Sequence, residues 1–283
     1  MMWKENYRIG DPLIDEQHKG LFDKTENLLI LLNGDDAETR KDESISMVLY
    51  LKNYAVEHFE AEEKYQESIN YEFLKEHQDL HNQFITSVLE AEKRMRDSDF
   101  SLSSFKEFTG FLAAWLTYHV AGADQKIRSG GSISDEIKVD DMNYTDFFAG
   151  SVKSVLNTML DPFYGKITYV TSAESANSVH VHIGLTGDCA GEVSFTFPKD
   201  TVLNLVKALT TVDLDTVDDV AYSVLAEITN IVSGNAVSTI ALKGKNCSID
   251  TPQVILNNDR IRVGEGVCLD TNHGQIGLTV DIE

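Results

Sequence analysis

Residues four apart on a helix lie about one turn from each other on the same face and can share a metal site. The sequence offers this spacing twice, as His58 and Glu62 in HFEAE and as His77 and His81 in HQDLH. His18 lies upstream and His119 downstream, so four helical segments would each supply an inward ligand. Asp124 is a seventh candidate, but five residues past His119 it is rotated by about 140° on a regular helix. The two converge only if the backbone unwinds between them, and Gly122 is placed to allow it. Imidazole and carboxylate are suitable iron ligands, although ligand type alone leaves manganese or zinc open. Two adjacent irons fit the set: each carboxylate bridges both metals, and the imidazoles fill terminal positions. With an oxo or hydroxo bridge, three histidines complete one iron, and the other two leave its neighbour with an open position. Every histidine up to residue 130 falls on one of these positions, and burying so many rings without a metal would strand polar groups.

The elements that must carry these ligands follow from apolar residues at helical period. The runs are Leu21, Leu28, Leu29 and Leu32; Met47, Leu51, Tyr54 and Phe59; Phe84, Val88 and Leu89; and Phe105, Phe108, Leu112, Trp115 and Leu116. Breaks at Asn33-Gly34-Asp35-Asp36, Asn70-Tyr71 and Asp97-Ser98-Asp99 are turn or cap clusters. Such short connections predict an all-α up-down four-helix bundle. Trp115, one turn before His119, lines either the core or the pocket for a ligand of the metals, and the core role is favoured.

The opening motif Trp3-Lys-Glu-Asn-Tyr7-Arg-Ile-Gly10, then Ile14-Asp15-Glu16-Gln17-His18, together with the seven filled ligand positions, resembles the bacterial hemerythrin family over residues 1–128. The resemblance implies a hemerythrin-like bundle holding two non-haem iron ions. In it His77, His81 and His119 hold the six-coordinate iron and His18 and His58 the open one, with Glu62 and Asp124 bridging both. O2 is the expected ligand.

Composition narrows the partners. Acidic residues outnumber basic ones 46 to 24, a formal charge of −22, so the basic stripe that phosphate backbones require is missing and nucleic acid is not expected. A run of about 18 apolar residues able to span a bilayer is also missing, and MMWKENYRIG has no secretory pattern. Cys189, Cys247 and Cys268 are odd in number and lack CxxC spacing, which predicts reduced thiols, buried as small hydrophobes, in a cytoplasmic protein.

After Ser129-Gly130-Gly131-Ser132, read as part of a linker over 129–139, the grammar becomes mixed. A helix from Tyr144 to Leu160 ends at Pro162. Alternating segments at Ile167–Val170, Ser178–Leu185 and Glu192–Phe197 predict strands. Helices are expected from Lys199 and over Val217–Leu242, with strands at Cys247–Ile255, Ile261–Leu269 and Gln275–Ile282. The second half, 140–283, is thus α+β. His180 and His182 alternate with Val179, Val181 and Ile183 and belong to a polar strand face rather than a metal site. His273, in the turn Asn272-His273-Gly274, has no assigned role.

On the helix from Val217, the residues Val217, Val220, Val224, Ile228, Ile231 and Val232 form an apolar arc. Ser223, Glu227, Asn230 and Gly234 make a polar stripe beside it, with Glu227 and Asn230 neighbours at spacing three. The run Ala226-Glu227-Ile-Thr-Asn230-Ile-Val-Ser-Gly234-Asn235-Ala236, with Ser223, Pro252 and Met142-Asn143-Tyr144, resembles the CheX/CheC phosphatases over about 140–283. These act on CheY-like response regulators. The resemblance implies that Asn230 orients a water for attack on an aspartyl phosphate while Glu227 pairs with a lysine of the regulator, which brings its own Mg2+. It also implies a homodimer. Ser154 stands three before Asn157 where a second centre would need Glu, so one centre per chain is expected.

Together the halves predict an O2- or redox-sensing phosphatase of a CheY-like regulator in chemotaxis-type two-component signalling. The alternative is an O2 carrier, buffer or scavenger whose second domain serves only dimerisation or docking. An oxidase or peroxidase is disfavoured, because oxygen-activating di-iron bundles use a carboxylate-rich ligand set.

Overall fold

The computed structural model describes residues 3–32, 34, 36–128, 143–160, 167–170, 177–255 and 266–282. The chain divides into two compact units, Met1–Ile137 and Lys138–Glu283. The stretch read as a linker lies outside the described residues.

The first unit has four long helices, α1 (Pro12–Leu31), α2 (Ala37–Ser68), α3 (Leu74–Asp97) and α4 (Leu102–Tyr118), then a π-helical turn at His119–Ala123 and a short α5 (Asp124–Arg128). The starts of α1, α2 and α4 follow capping chemistry. Asp11 accepts from the backbone N–H groups of Leu13 and Ile14, with Pro12 at the first helical position. Asp36 and Ser101 cap α2 and α4 in the same way. Each helix packs on the next, and α1 packs on α4, which closes the bundle around Phe22, Leu51, Phe84, Phe105 and Leu112. The periodic residues are buried except Leu32, half-buried at the end of α1, and Leu89, which is 47% exposed. Val88 takes the core position, and one residue on a helix turns the side chain by about 100°.

The second unit is an antiparallel sheet with helices against it. Its elements are α6 (Tyr144–Met159), β1 (Ile167–Val170), β2 (Ser178–Gly187), β3 (Gly191–Pro198), α7 (Lys199–Thr210), α8 (Asp219–Ala241), β4 (Cys247–Ile249), β5 (Gln253–Ile255), β6 (Gly266–Thr271) and β7 (Gly274–Ile282). The strand order is β1-β6-β7-β3-β2-β4, with β5 also on β2. In register, Val179, Val181 and Ile183 oppose Phe197, Phe195 and Val193, so one apolar face lies under α6, α7 and α8. The single strand expected over Cys247–Ile255 is two short ones, interrupted at Asp250–Pro252; proline supplies no N–H for a ladder. Only the second part of the strand expected from Ile261 lies within the described residues.

The cysteines differ from expectation. Cys189 and Cys247 form a disulfide with Cα atoms 5.4 Å apart, and Cys268 alone is free. The odd count concealed the pair because the partners are 58 residues apart, and only the folded sheet brings the β2–β3 turn to the start of β4. Gly187 permits that approach: it has a φ of +86°, and a Cβ there would collide with the Asn246 carbonyl.

Candidate functional site

In the bundle, the seven candidate ligands converge from all four helices and the end of the π turn, and none is more than 3% exposed. The turn accounts for Asp124. Its backbone N–H donates to the His119 carbonyl across five residues, a wider coil that brings the two side chains to one face. Gly122 keeps a helical φ, so the unwinding is a π turn and uses no left-handed glycine. Asp124 Oδ1 lies 3.2 Å from His119 Nε2 and 3.4 Å from His77 Nε2. Its other oxygen, Oδ2, lies 3.2 Å from His18 Nε2. Glu62 Oε2 stands 3.2 Å from His81 Nε2, 3.5 Å from His77 Nε2 and 3.6 Å from His58 Nε2. The residues therefore fall into a three-histidine group and a two-histidine group, with both carboxylates between them.

These close approaches do not satisfy the polar atoms. Both oxygens of Glu62, both of Asp124 and Nε2 of His77 are enclosed and make no hydrogen bond of good geometry. Nε2 atoms also face each other at 3.2 Å in His18–His58 and in His81–His119. Orphaned lone pairs aimed at common points are costly in a dry interior and fit a donor set for cations. Burial pushes His18, His58 and His119 toward the neutral form that metals need. Burial opposes charge on Glu62, yet the close approach of the His77 and His81 rings holds its carboxyl well below the usual range. Asp124 is pushed well above that range, by burial and then by the charge on Glu62.

A surrounding shell, missed in the sequence, orients the rings. His58 Nδ1 lies 2.9 Å from Gln17 Oε1 and His81 Nδ1 lies 3.1 Å from Glu63 Oε1; Gln78 Nε2 in turn donates to Glu63 Oε2 at 3.0 Å. Such contacts fix the tautomer that leaves Nε2 free. The one available signal was adjacency, since Gln17 and Glu63 directly neighbour His18 and Glu62. Aromatic rings wall the cluster. Phe59 stacks on His81 at 3.7 Å, Trp115 on His119 at 4.3 Å and Tyr54 on His58 at 4.4 Å. Burial first, and then the charges of Glu62 and Asp124, push the Tyr54 phenol well above its ordinary range.

In the second unit, α8 begins under an Asp218 cap and buries Val220, Val224, Ile228, Ile231 and Val232. The Ser151 hydroxyl of α6 donates to the Val232 carbonyl at 2.6 Å, which fixes the two helices to each other. Ser223, Glu227, Asn230 and Gly234 remain part-exposed beside the apolar arc. The Glu227 carboxyl is pushed up to about 7 by burial, while a hydrogen bond with Asn230 works in the opposite direction. Around Gly234 the space is nearly open, with only a methyl of Ile249 at 4.0 Å from where a Cβ would sit. On α6, Ser154 and Asn157 are exposed.

His180 and His182 lie on the face of β2 away from the valines, and their rings are anchored. His180 Nδ1 is 3.1 Å from Thr196 Oγ1, and His182 Nδ1 is 2.6 Å from Glu192 Oε1. His180 is nonetheless buried. Among the described residues no helix is long and apolar enough to cross a membrane.

Two family models match the chain: the hemerythrin HHE cation binding domain over residues 10–128, and the chemotaxis phosphatase CheX over residues 179–270. A bacteriohemerythrin of Clostridium acetobutylicum is 28% identical over 126 residues, covering 44% of this chain and 96% of the relative. A CheY-P phosphatase CheX of Thermotoga maritima is 27% identical over 122 residues, covering 42% of this chain and 79% of the relative. Among solved structures, the CheX–CheY complex with BeF3 and Mg2+ from Borrelia burgdorferi aligns with a TM-score of 0.43 at 23% identity, over 50% of this chain and 99% of that one. By the two family models, the chain joins a hemerythrin HHE domain over residues 10–128 to a CheX domain over residues 179–270.

Proposed function

We propose that the protein is a sensor phosphatase, in which a di-iron centre in the bundle (1–128) modulates aspartyl-phosphate hydrolysis by the CheX domain (140–283), joined by the segment 129–139. The observation that carries the reading is the division of Asp124, with one oxygen toward His18 and the other toward His119. In this reading His77, His81 and His119 would hold one iron and His18 and His58 the other, and Glu62 and Asp124 would supply the carboxylate ligands. Bound iron would supply a redox-active centre and a position for O2. The protein's own part is to hold five imidazoles in place, with His18, His58 and His119 pushed toward the neutral form by burial, to offer two carboxylates and to exclude water with Phe59, Trp115 and Tyr54.

At the second centre, the Asn230 carboxamide both donates and accepts, so it can hold a water in line with the phosphorus of a phosphorylated CheY-like regulator. Glu227, three residues before Asn230 on α8, would pair with a lysine of that regulator. The relative from Thermotoga maritima is named as a CheY-P phosphatase, and this supports the substrate class. Mg2+ arrives with the regulator, which also implies a cytoplasmic setting, and the CheX domain provides the homodimer contact.

The test is the rate of regulator dephosphorylation by diferrous, oxygenated and diferric protein, alongside an iron count near two per chain. Different rates in the three states are expected. Identical rates would remove sensing, and absence of phosphatase activity with normal O2 binding would make the protein an O2 carrier or scavenger with a docking domain. Asn230→Ala should abolish turnover and leave iron and O2 binding unchanged.

A further inference from the structure

Tyr54 lies on α2 one turn before His58, with its ring stacked on that imidazole at an angle of 24°. It therefore sits at the two-histidine side of the cluster, where His18 packs against His58 with ring centroids 4.7 Å apart. The ring is 6% exposed, and its hydroxyl is enclosed with no hydrogen-bond partner. Tyr71 meets His77 on the three-histidine side, but among the described residues Tyr54 is the tyrosine whose hydroxyl is both enclosed and orphaned. A buried phenol without a partner loses the hydrogen bonds it had in water, and Phe would fill the same space without that cost. An un-ionised phenol has one O–H to donate, and the nearby protein leaves it unused.

We propose that Tyr54 Oη donates a hydrogen bond to the exogenous ligand bound on the His18/His58 side of the metal pair, and so favours ligands that carry negative charge on the atom facing it. This rests on the reading of the bundle as a di-iron site. Tyr54 is then a positioning and specificity-determining residue: its ring holds His58 flat, and its hydroxyl selects the ligand. A hydrogen bond to a charged acceptor in a dry site is stronger than one between neutral groups.

The test uses the full-length, iron-loaded protein with azide as the anionic probe. Tyr54→Phe keeps the stacked ring and removes only the hydroxyl. The azide dissociation constant should rise about tenfold and O2 should dissociate faster by a similar factor, with iron still two per chain. Azide affinity within about twofold of wild type in an iron-loaded Tyr54→Phe protein would overturn the proposal and leave the di-iron reading standing. If the variant fails to retain iron, the azide stretching frequency of wild-type protein decides: a shift on transfer to D2O is expected, and no shift overturns the assignment. Failure of wild-type protein to take up iron or to bind azide would remove the metal reading and this inference together.

Discussion

Asp124 Oδ2 and His18 Nε2 stand 3.2 Å apart, which joins the first helix of the bundle to the residue that ends its π turn. Asp124 reaches this place only because the backbone from His119 to Ala123 is wound one residue wider than an α-helix. Asp124→Ala would leave His18 and His119 without the carboxylate they share. The expected result is a fall in iron from about two per chain to about one or fewer, read by metal analysis after gel filtration. Full retention of both irons would show that the bridge is dispensable.

Glu63 acts at one remove, through its contact with His81 Nδ1. Contacts of this kind typically change metal affinity by about 10–100-fold. Glu63→Ala should therefore lose iron to a chelator faster by roughly one to two orders of magnitude, with helix content unchanged in circular dichroism. Glu63→Gln, which keeps an oxygen acceptor, should recover most of the retention. Equal loss from wild type and Glu63→Ala would refute the orienting role.

Most of this centre was legible in the sequence because helical periodicity and metal ligation impose spacings that leave few alternatives. His58 with Glu62 and His77 with His81 each announce a face, and the awkward five-residue step to Asp124 announces an unwound turn. Gln17, Glu63 and Tyr54 were not singled out for the site, since a polar or aromatic residue beside a ligand has no spacing of its own until the rings are placed. In the second unit β2, β3, β7 and the α8 stripe followed from period, whereas the break between β4 and β5 did not. Nor did the Cys189–Cys247 bond, because it depends on which turn the sheet folds onto which strand start.

That disulfide yields a count and a stability change. Closing a loop across 58 residues restricts the unfolded chain, and such links contribute about 2–4 kcal/mol. Thiol labelling of the denatured, unreduced protein should find one group, Cys268, and reduction should reveal all three. Cys189→Ser should lower the thermal stability of the CheX domain, while Cys268→Ser should leave it within about 0.5 kcal/mol. Three reactive thiols before reduction would exclude the bond.

On the proposed reading, Glu227 would give the second centre its pH dependence. Burial raises its carboxyl from 4.5 to about 7, so folding favours the protonated form. The contribution to stability is full below about pH 4.5 and is lost as pH rises through 7. Glu227→Gln mimics the neutral acid, so it should match wild type near pH 4 and melt a few degrees higher near pH 8. The same desolvated carboxyl prepares the site for a cation, since a lysine ammonium placed against it favours ionisation and expels the proton. Docking of a phosphorylated regulator should then strengthen as pH rises from 6 to 8. In dephosphorylation kinetics this would appear as a falling KM for wild type and a high, flat KM for Glu227→Gln, with the ratio of the two cancelling titration of the regulator itself. Asn230→Ala should instead depress kcat with a smaller change in KM if, as proposed, its carboxamide holds the attacking water. A wild-type to Glu227→Gln KM ratio that does not vary across this range would mean that the Glu227 charge takes no part in docking.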